Sequence, residues 1–490
     1  MTFFSHSTDK QRETKYLRAA RAASASAEFG IYLGHDGDDW YFAPPEMSVM
    51  MLGPPRSGKT SSLIIPNVLA ANGPVVSTST KPDVLDATAA ARSQSGRCLL
   101  FDPTGSTTPS GDLEPLRWSP LQACGTWDGA MGSARSLVQV AAAAGSRGTA
   151  RNDGTHWNER AQALLAPLLY AAALDGADMR TVLTWVDRRK SLPAQTILAG
   201  TPGGIAELAT NALEGMAATD ERELSGIWST ASGALTGFRT ERALAVTADP
   251  DFDAIHFVDS ADTIFICAPA HRQALVAPMV VGLVEDVRTA AYQRASEPAV
   301  GEARPNPPVL LALDEVTNIA PLPNLPSMIS EGGGQGVVTL ASLQDLSQAR
   351  QRWPDEADGF PSLFGTTVVL PGIGDVRTLE ALSTLAGDEE ITTRSVSSGR
   401  APSGHPFSDM VTGGRPHAGE SASTQWRRRL PPDLITRGSP GMALAFDERN
   451  QPTWVRLAPA HSVEPWKMLS DSGRAHRRQQ LRRTDPGVER

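Results

Sequence analysis

Met51-Leu-Gly-Pro-Pro-Arg-Ser-Gly-Lys-Thr60 is the stretch whose reading decides the fold. Inside it, Gly53-x-x-x-x-Gly58-Lys59-Thr60 has the spacing of a phosphate-binding loop, or P-loop. That pattern carries meaning only between a strand and a helix. Both flanks comply: the apolar run at 48–52 reads as a buried strand and residues 61–70 as a helix. Glycines at 53 and 58 let the backbone curl until its N–H groups face an anion. The helix start adds its partial positive charge. On this reading Gly53, Pro54, Pro55, Arg56, Ser57, Gly58, Lys59, Thr60 and Ser61 cradle the phosphates of ATP. Lys59 reaches the β- and γ-phosphates, and the Thr60 hydroxyl holds Mg2+. The loop is expected at the surface, and Pro66, past the first helical turn, predicts a kink.

Working outward, apolar runs at 74–80, 97–102, 263–268, 309–313, 337–342, 366–370 and 441–446 read as strands, several separated by helical patterns at 84–93 and 274–294. Strands alternating with helices predict an α/β protein with a mainly parallel sheet covered on both faces. The strand at 309–313 ends in Asp314-Glu315. Downstream of a P-loop, Asp314 is placed to hold Mg2+ directly or through water, and Glu315 to take a proton from the attacking water. Gln344, at the end of the next strand, is placed to sense the γ-phosphate or orient that water.

Between 126 and 248 the pattern is helical throughout, strongest at 159–174, and predicts an all-α domain inserted into the nucleotide-binding domain of 29–125 and 249–465. A small hairpin is expected at 29–42, a polar mobile loop at 144–154, a Pro-rich linker at 297–308 and a long exposed Gly/Ser-rich loop at 392–424. Residues 1–28 read as a polar leader and 466–490 as a basic tail, Arg-rich and disordered from Ser472 onward.

At 490 residues the chain exceeds what one core usually serves. A net charge of −9 excludes a surface that is basic all over, while leaving room for a locally basic groove or pore. The three cysteines, Cys98, Cys124 and Cys267, have no paired spacing and imply neither a disulfide framework nor a zinc site, which suits a reducing cytoplasm. No run of eighteen apolar residues exists, and the first residues lack the apolar core of a signal peptide.

Several stretches together resemble the coupling ATPases of type IV secretion and bacterial conjugation, the TraG/TraD-type proteins. They are the segment from Gly53 through Pro66-Asn67 to Val76, "STKPDVLD" with Lys81, "PLRWSPLQ" at 115–122 and "THWNERAQALLAPLLYAA" at 155–172. "LLALDEVTNIAPLPNLPSMISEGGGQGVVTLASLQDLSQAR" at 310–350 is the longest, and "RRRLPPDLI" at 427–435 the last. The resemblance implies a RecA-like P-loop NTPase assembled as a hexameric ring. It further implies that ATP hydrolysis drives a relaxase–DNA complex, the DNA single-stranded, toward the secretion channel, with the all-α domain receiving the substrate. Lys59, Thr60, Asp314, Glu315 and Gln344 carry over individually.

Three departures stand out. The family usually begins with transmembrane helices, and none is present here, so contact with the inner membrane is expected through a partner or a missing anchor. Where the family often has arginine after Glu-Gly, Gly333 follows Glu331-Gly332, leaving Arg239, Arg242 and Arg350 as candidate arginine fingers. Thr80 replaces the acid that precedes the family lysine. Competing readings are a related ring motor for chromosomal DNA or secreted protein, and a non-hydrolysing adaptor that binds ATP for assembly only.

Overall fold

A computed structural model describes residues 30–36, 39–109, 111, 113–145, 151–297, 307–401 and 415–484. The leader at 1–28 lies outside these residues, as do the middle of the loop expected at 144–154 and most of the linker expected at 297–308.

The strands, in chain order, are β1 (Tyr32–Asp36), β2 (Asp39–Phe42), β3 (Val49–Leu52), β4 (Val75–Ser79), β5 (Cys98–Phe101), β6 (Leu113–Pro115) and β7 (Thr263–Cys267). They continue as β8 (Val309–Leu313), β9 (Val337–Leu343), β10 (Thr366–Val369), β11 (Asp388–Ala401), β12 (Arg415–Arg428), β13 (Met442–Phe446) and β14 (Pro452–Arg456). All but β11 and β12 join one 12-stranded sheet, ordered β2-β1-β14-β13-β10-β3-β9-β8-β4-β7-β5-β6. From β10 to β6 every pairing is parallel. Beyond β10 the sheet closes with antiparallel β13, β14, β1 and β2, so the expected hairpin is the rim of this sheet. β6 and β14 escape the sequence reading because neither is a buried apolar run.

Each residue of β3, β4, β7, β8 and β9 is buried, as a sheet covered on both faces requires. Successive side chains serve opposite faces. Val49 and Met51 pack with Ile65, Leu85 and Trp466, whereas Met50 and Leu52 belong to a core that runs on through Trp118, Leu164 and Leu168. From 116 to 262 the described residues hold helices and turns, and no strand. The helical stretch therefore shares one core with a face of the sheet. Its longest helix begins at Arg151, earlier than the 159 the periodicity indicated.

The helix after the P-loop departs from expectation. Thr60–Ile64 is a π-helical turn, closed by the Ile65 N–H on the Thr60 carbonyl, and Ile65–Ala70 continues as α-helix. Pro66 brings no N–H to the ladder, and a widened turn ahead of it takes the place of a simple kink. The Asn67 side chain repairs the register: its Nδ2 donates to the carbonyls of Leu63 (2.9 Å) and Tyr32 (3.0 Å), and its Oδ1 accepts from the Tyr32 N–H at 2.8 Å.

Two other expectations are overturned. Residues 392–401 and 415–424 lie in an antiparallel ribbon, β11 with β12, in unbroken register from Asp388↔Arg428 to Ala401↔Arg415, rather than in a loop, and 402–414 lie outside the described residues. Local cross-strand pairing needs no apolar core, so low hydrophobicity did not reveal it. Likewise the tail is helical as far as it is described: Trp466–Thr484 is a helix whose Trp466, Leu469, Ser470 and Arg477 are buried, while 485–490 lie outside the described residues. Among the described residues no helix is long and apolar enough to cross a membrane. All three cysteines are buried thiols outside any disulfide.

At the seam between sheet and helical stretch, Trp118 Nε1 donates to Asp286 Oδ2 at 2.7 Å. Burial pushes the Asp286 carboxyl up to about 7, the Trp118 bond opposing and Glu285 adding to the rise. The unfolded chain releases this proton near 4. Folding therefore takes up a proton between those values, and this group's contribution weakens as pH rises from 4 to 7. Asp286→Asn keeps an acceptor for Trp118 and removes the ionisation. Denaturant titration should find it more stable than the parent at pH 8, by on the order of 2–4 kcal/mol, with the difference shrinking toward pH 4.

Candidate functional site

The sheet order creates the site. β4 follows β3 in sequence, yet β9 and β8 lie between them. Loops leaving the C-terminal ends of β3, β9, β8 and β4 thus open onto one crevice, as at the switch point of open α/β sheets. The crevice is a cavity of 780 Å³ lined by the P-loop from Pro55 to Ser61, by Asp314 and Glu315, and by Gln344.

The P-loop is held at its root. The Gly53 N–H donates to the carbonyls of Leu343 (3.2 Å) and Gln344 (3.1 Å), which ties the loop to the end of β9. A Cβ at Gly53 would meet Ser57 Oγ at 2.8 Å and Leu370 Cβ at 2.9 Å. Arg56 and Gly58 adopt positive φ, 64° and 96°, and produce the curl. The expectation of a surface loop holds only for its tip: Pro55 and Arg56 are exposed, while Gly53 and Lys59 are buried. Gly53 and Pro54 stand outside the cavity lining, and their carbonyls accept from Lys59 Nζ, the Pro54 contact at 3.0 Å. Burial lowers the Lys59 pKa, against the opposing charges of Asp314 and Glu315.

Across the crevice, Thr60 Oγ1 donates to Asp314 Oδ2 at 2.6 Å. The Asp314 carbonyl accepts from Thr78 Oγ1 at 3.2 Å, so β4 fixes the backbone beneath it. Glu315 has φ 52°, a left-handed conformation that glutamate adopts at a cost of roughly 1–2 kcal/mol. Both Asp314 and Glu315 line the cavity. Burial raises the Glu315 pKa, the Asp314 charge adds to the effect, and hydrogen bonds from Asn318 and Gln273 and the charge of Lys59 oppose it. The Gln344 N–H is held by Gln348 Oε1 at 2.9 Å, which leaves the Gln344 side chain on the cavity wall.

The structure brings residues to the cavity that the motif did not indicate: Lys81, Asp83 and Asp86 after β4, and Arg474, Arg477, Arg478 and Leu481 from the last helix. A run of arginines at helical spacing beyond Trp466 was the available signal, read instead as a disordered tail. None of the candidate arginine fingers lines the cavity. Arg239 is engaged by Asp187 at 2.6 Å, Arg242 donates to the Asp102 carbonyl at 3.2 Å, and Arg350 pairs with Asp358 (2.8 Å) and Asp375 (3.1 Å).

The defining pattern of the "Type IV secretory system Conjugative DNA transfer" family matches residues 5–412. The chain belongs to this family. It is 26% identical over 368 residues to the conjugal transfer protein TraG of Escherichia coli, covering 70% of this chain and 55% of TraG. The chain therefore spans about half the length of that relative. Its fold is similar to that of the unbound bacterial conjugative coupling protein TrwBdeltaN70, with TM-score 0.63 and 18% identity over 91% of each chain. The plasmid coupling protein TrwB in complex with ADP and Mg2+ matches with TM-score 0.63 and 18% identity, over 91% of this chain and 92% of that one. At such identity the likeness speaks for the fold: a mainly parallel α/β sheet accompanied by many helices.

Gly333 has a structural reason. It sits in the short turn Gly333–Gln335, and a Cβ built on it would collide with the Glu46 carbonyl oxygen. No arginine fits there without moving backbone. Gly333→Ala should lower stability by about 1–3 kcal/mol, the usual cost of overpacking. Gly334→Ala, whose Cβ would meet nothing within 4 Å, serves as the control. Equal melting temperatures for the two variants would refute this account.

Proposed function

We propose that this protein is an ATP-hydrolysing coupling protein that powers conjugative DNA transfer through a type IV secretion channel. The observation that carries the reading is the convergence of Lys59, Thr60, Asp314, Glu315 and Gln344 on one cavity in a member of this family, with Thr60 and Asp314 2.6 Å apart.

ATP would lie along the P-loop, with N–H groups of the Arg56-to-Ser61 backbone and the Lys59 ammonium on its phosphates. Lys59 needs only to exchange the carbonyls of Gly53 and Pro54 for phosphate oxygens. A magnesium ion fits the pair Thr60 and Asp314, a hydroxyl and a carboxylate already in contact. Among the described residues no group of three or more His, Cys, Asp or Glu could hold a metal unaided. That agrees with an ion shared between one or two protein oxygens, water and substrate phosphates. When bound, it would neutralise charge on the β- and γ-oxygens. Glu315 is the general base; its raised pKa makes it a better proton acceptor than an ordinary carboxylate. Gln344 orients the attacking water.

The organisation that goes with this reading is a nucleotide-binding domain at 29–125 and 249–465 and a helical receptor domain at 126–248 for a relaxase bound to single-stranded DNA. Chains assemble as a homo-hexamer and reach the inner membrane through a partner or an anchor. An adaptor that binds ATP without hydrolysing it is the second reading. Gly333 and the engagement of Arg239, Arg242 and Arg350 within the chain favour it.

Turnover separates the two. ATPase activity of the parent should rise when single-stranded DNA is added. Lys59→Ala should abolish turnover by removing the charge on the β/γ-phosphates. Glu315→Gln keeps the shape of the side chain but cannot take the proton, so hydrolysis should fall about 10²–10⁴-fold while ATP binding persists. Asp314→Asn should instead weaken Mg2+-dependent binding. Near-parental turnover in Glu315→Gln would place the base elsewhere. ATP binding without turnover in the parent would favour the adaptor.

A further inference from the structure

The cavity has a wall made by the last helix, Trp466–Thr484, which lies beyond the residues matched by the family pattern. This helix is firmly seated. Trp466 and Leu469 are buried in the core beneath the sheet. Gly473 lies against the helix Asp83–Arg92 so closely that a Cβ there would meet the Ala87 carbonyl oxygen at 2.5 Å. Arg477, 5% exposed, donates from Nε to Asp86 Oδ1 at 3.2 Å and from Nη2 to the Thr108 carbonyl at 2.6 Å. Buried arginine paired with carboxylate and carbonyl is an anchor, since either partner alone would leave an uncompensated group.

With the helix fixed this way, Arg474 and Arg478 stand one turn apart on its cavity side. Among the described residues Arg474 has a long ion pair within its own helix, to Asp471 at 3.8 Å, and its charge also acts on Asp86, while Arg478 is exposed. Asp86 on the same wall is occupied by Arg477. The wall thus offers two guanidinium groups to a cavity whose floor is a phosphate-binding loop. Guanidinium forks match phosphate oxygens and bond them strongly.

We propose that Arg474 and Arg478 are nucleotide-binding residues that grip the polyphosphate from the C-terminal helix, in the same chain as the P-loop, while the Arg477–Asp86 pair positions them. The proposal rests on the nucleotide reading of the cavity. It gives the last helix a function in the ATP site, and it makes nucleotide occupancy a further clamp on that helix.

Calorimetric titration of the full chain with ATP, ADP and AMP, each with Mg2+ at low salt, tests it. Arg474→Gln/Arg478→Gln should weaken ATP binding at least tenfold, ADP less and AMP least, because the lost contacts are to phosphates. Arg474→Lys/Arg478→Lys should recover most of the affinity. Circular dichroism and the melting temperature without nucleotide should match the parent, since Arg477 and Trp466 still seat the helix. ATP affinity unchanged in the Gln pair while Lys59→Ala has lost it would overturn the proposal and leave the P-loop reading intact. An equal loss for all three nucleotides would do so too, because it would mark a structural effect. A parent chain that binds no ATP would instead remove the nucleotide reading itself, before the arginines are compared.

Discussion

The bond between the Thr60 hydroxyl and the Asp314 carboxylate joins residues 254 apart in sequence, and the candidate site depends on it. It can form only because β3 and β8 are parallel, end at the same edge of the sheet and are spaced by a single strand. β9 is that spacer. Its last carbonyls hold the Gly53 N–H, and the residue that follows it is Gln344. One strand therefore sets the distance between phosphate loop and acidic pair, roots the loop, and delivers the amide that faces the cavity. A slip of one residue in either pairing would turn every side chain of β9 to the opposite face. Burial of all of its residues opposes such a slip.

The electrostatics follow from the same geometry. In this crevice burial depresses the lysine against the charges of the two acids, and burial with the Asp314 charge raises the glutamate against the charge of Lys59. The lowered lysine pKa reflects an ammonium deprived of water, and the raised glutamate pKa a carboxylate that holds a proton more tightly than usual. The left-handed backbone at Glu315 belongs to the same arrangement: successive side chains of a regular strand point to opposite faces, whereas Asp314 and Glu315 both line this cavity.

Around this centre, contacts run in two directions. Asp102, after β5, accepts from the Thr104 and Thr107 N–H groups at 2.9 and 2.7 Å, and its own carbonyl accepts from Arg242 of the helical stretch at 3.2 Å. A few residues on, the Thr108 carbonyl accepts from Arg477 of the last helix. The loop after β5 therefore touches both the helical stretch and the helix that walls the cavity. Trp118 and Asp286 form a second seam, in the shared core. These contacts tie the helical stretch to the sheet at two points.

The sequence by itself determined the parts whose signal is local. The glycine spacing at Gly53 and Gly58, the lysine and threonine after it, and an apolar strand ending in two acids each state their chemistry within ten residues. Buried parallel strands are continuous apolar runs, so the sheet was legible as well. What the sequence could not state was which late strand lies between β3 and β8, because strand order is set by packing across the whole sheet. It also could not state that Gly333 faces a backbone carbonyl, or that Pro66 is met by a π-turn and the Asn67 side chain. The ribbon β11–β12 and the helix Trp466–Thr484 were misread for one reason: polar composition reports solvent contact, not order. The arginines of that helix read as part of a disordered tail. Their tertiary partners, Asp86 and a main-chain carbonyl for Arg477 and the cavity itself for Arg474 and Arg478, exist only once the chain has folded back onto its first helices.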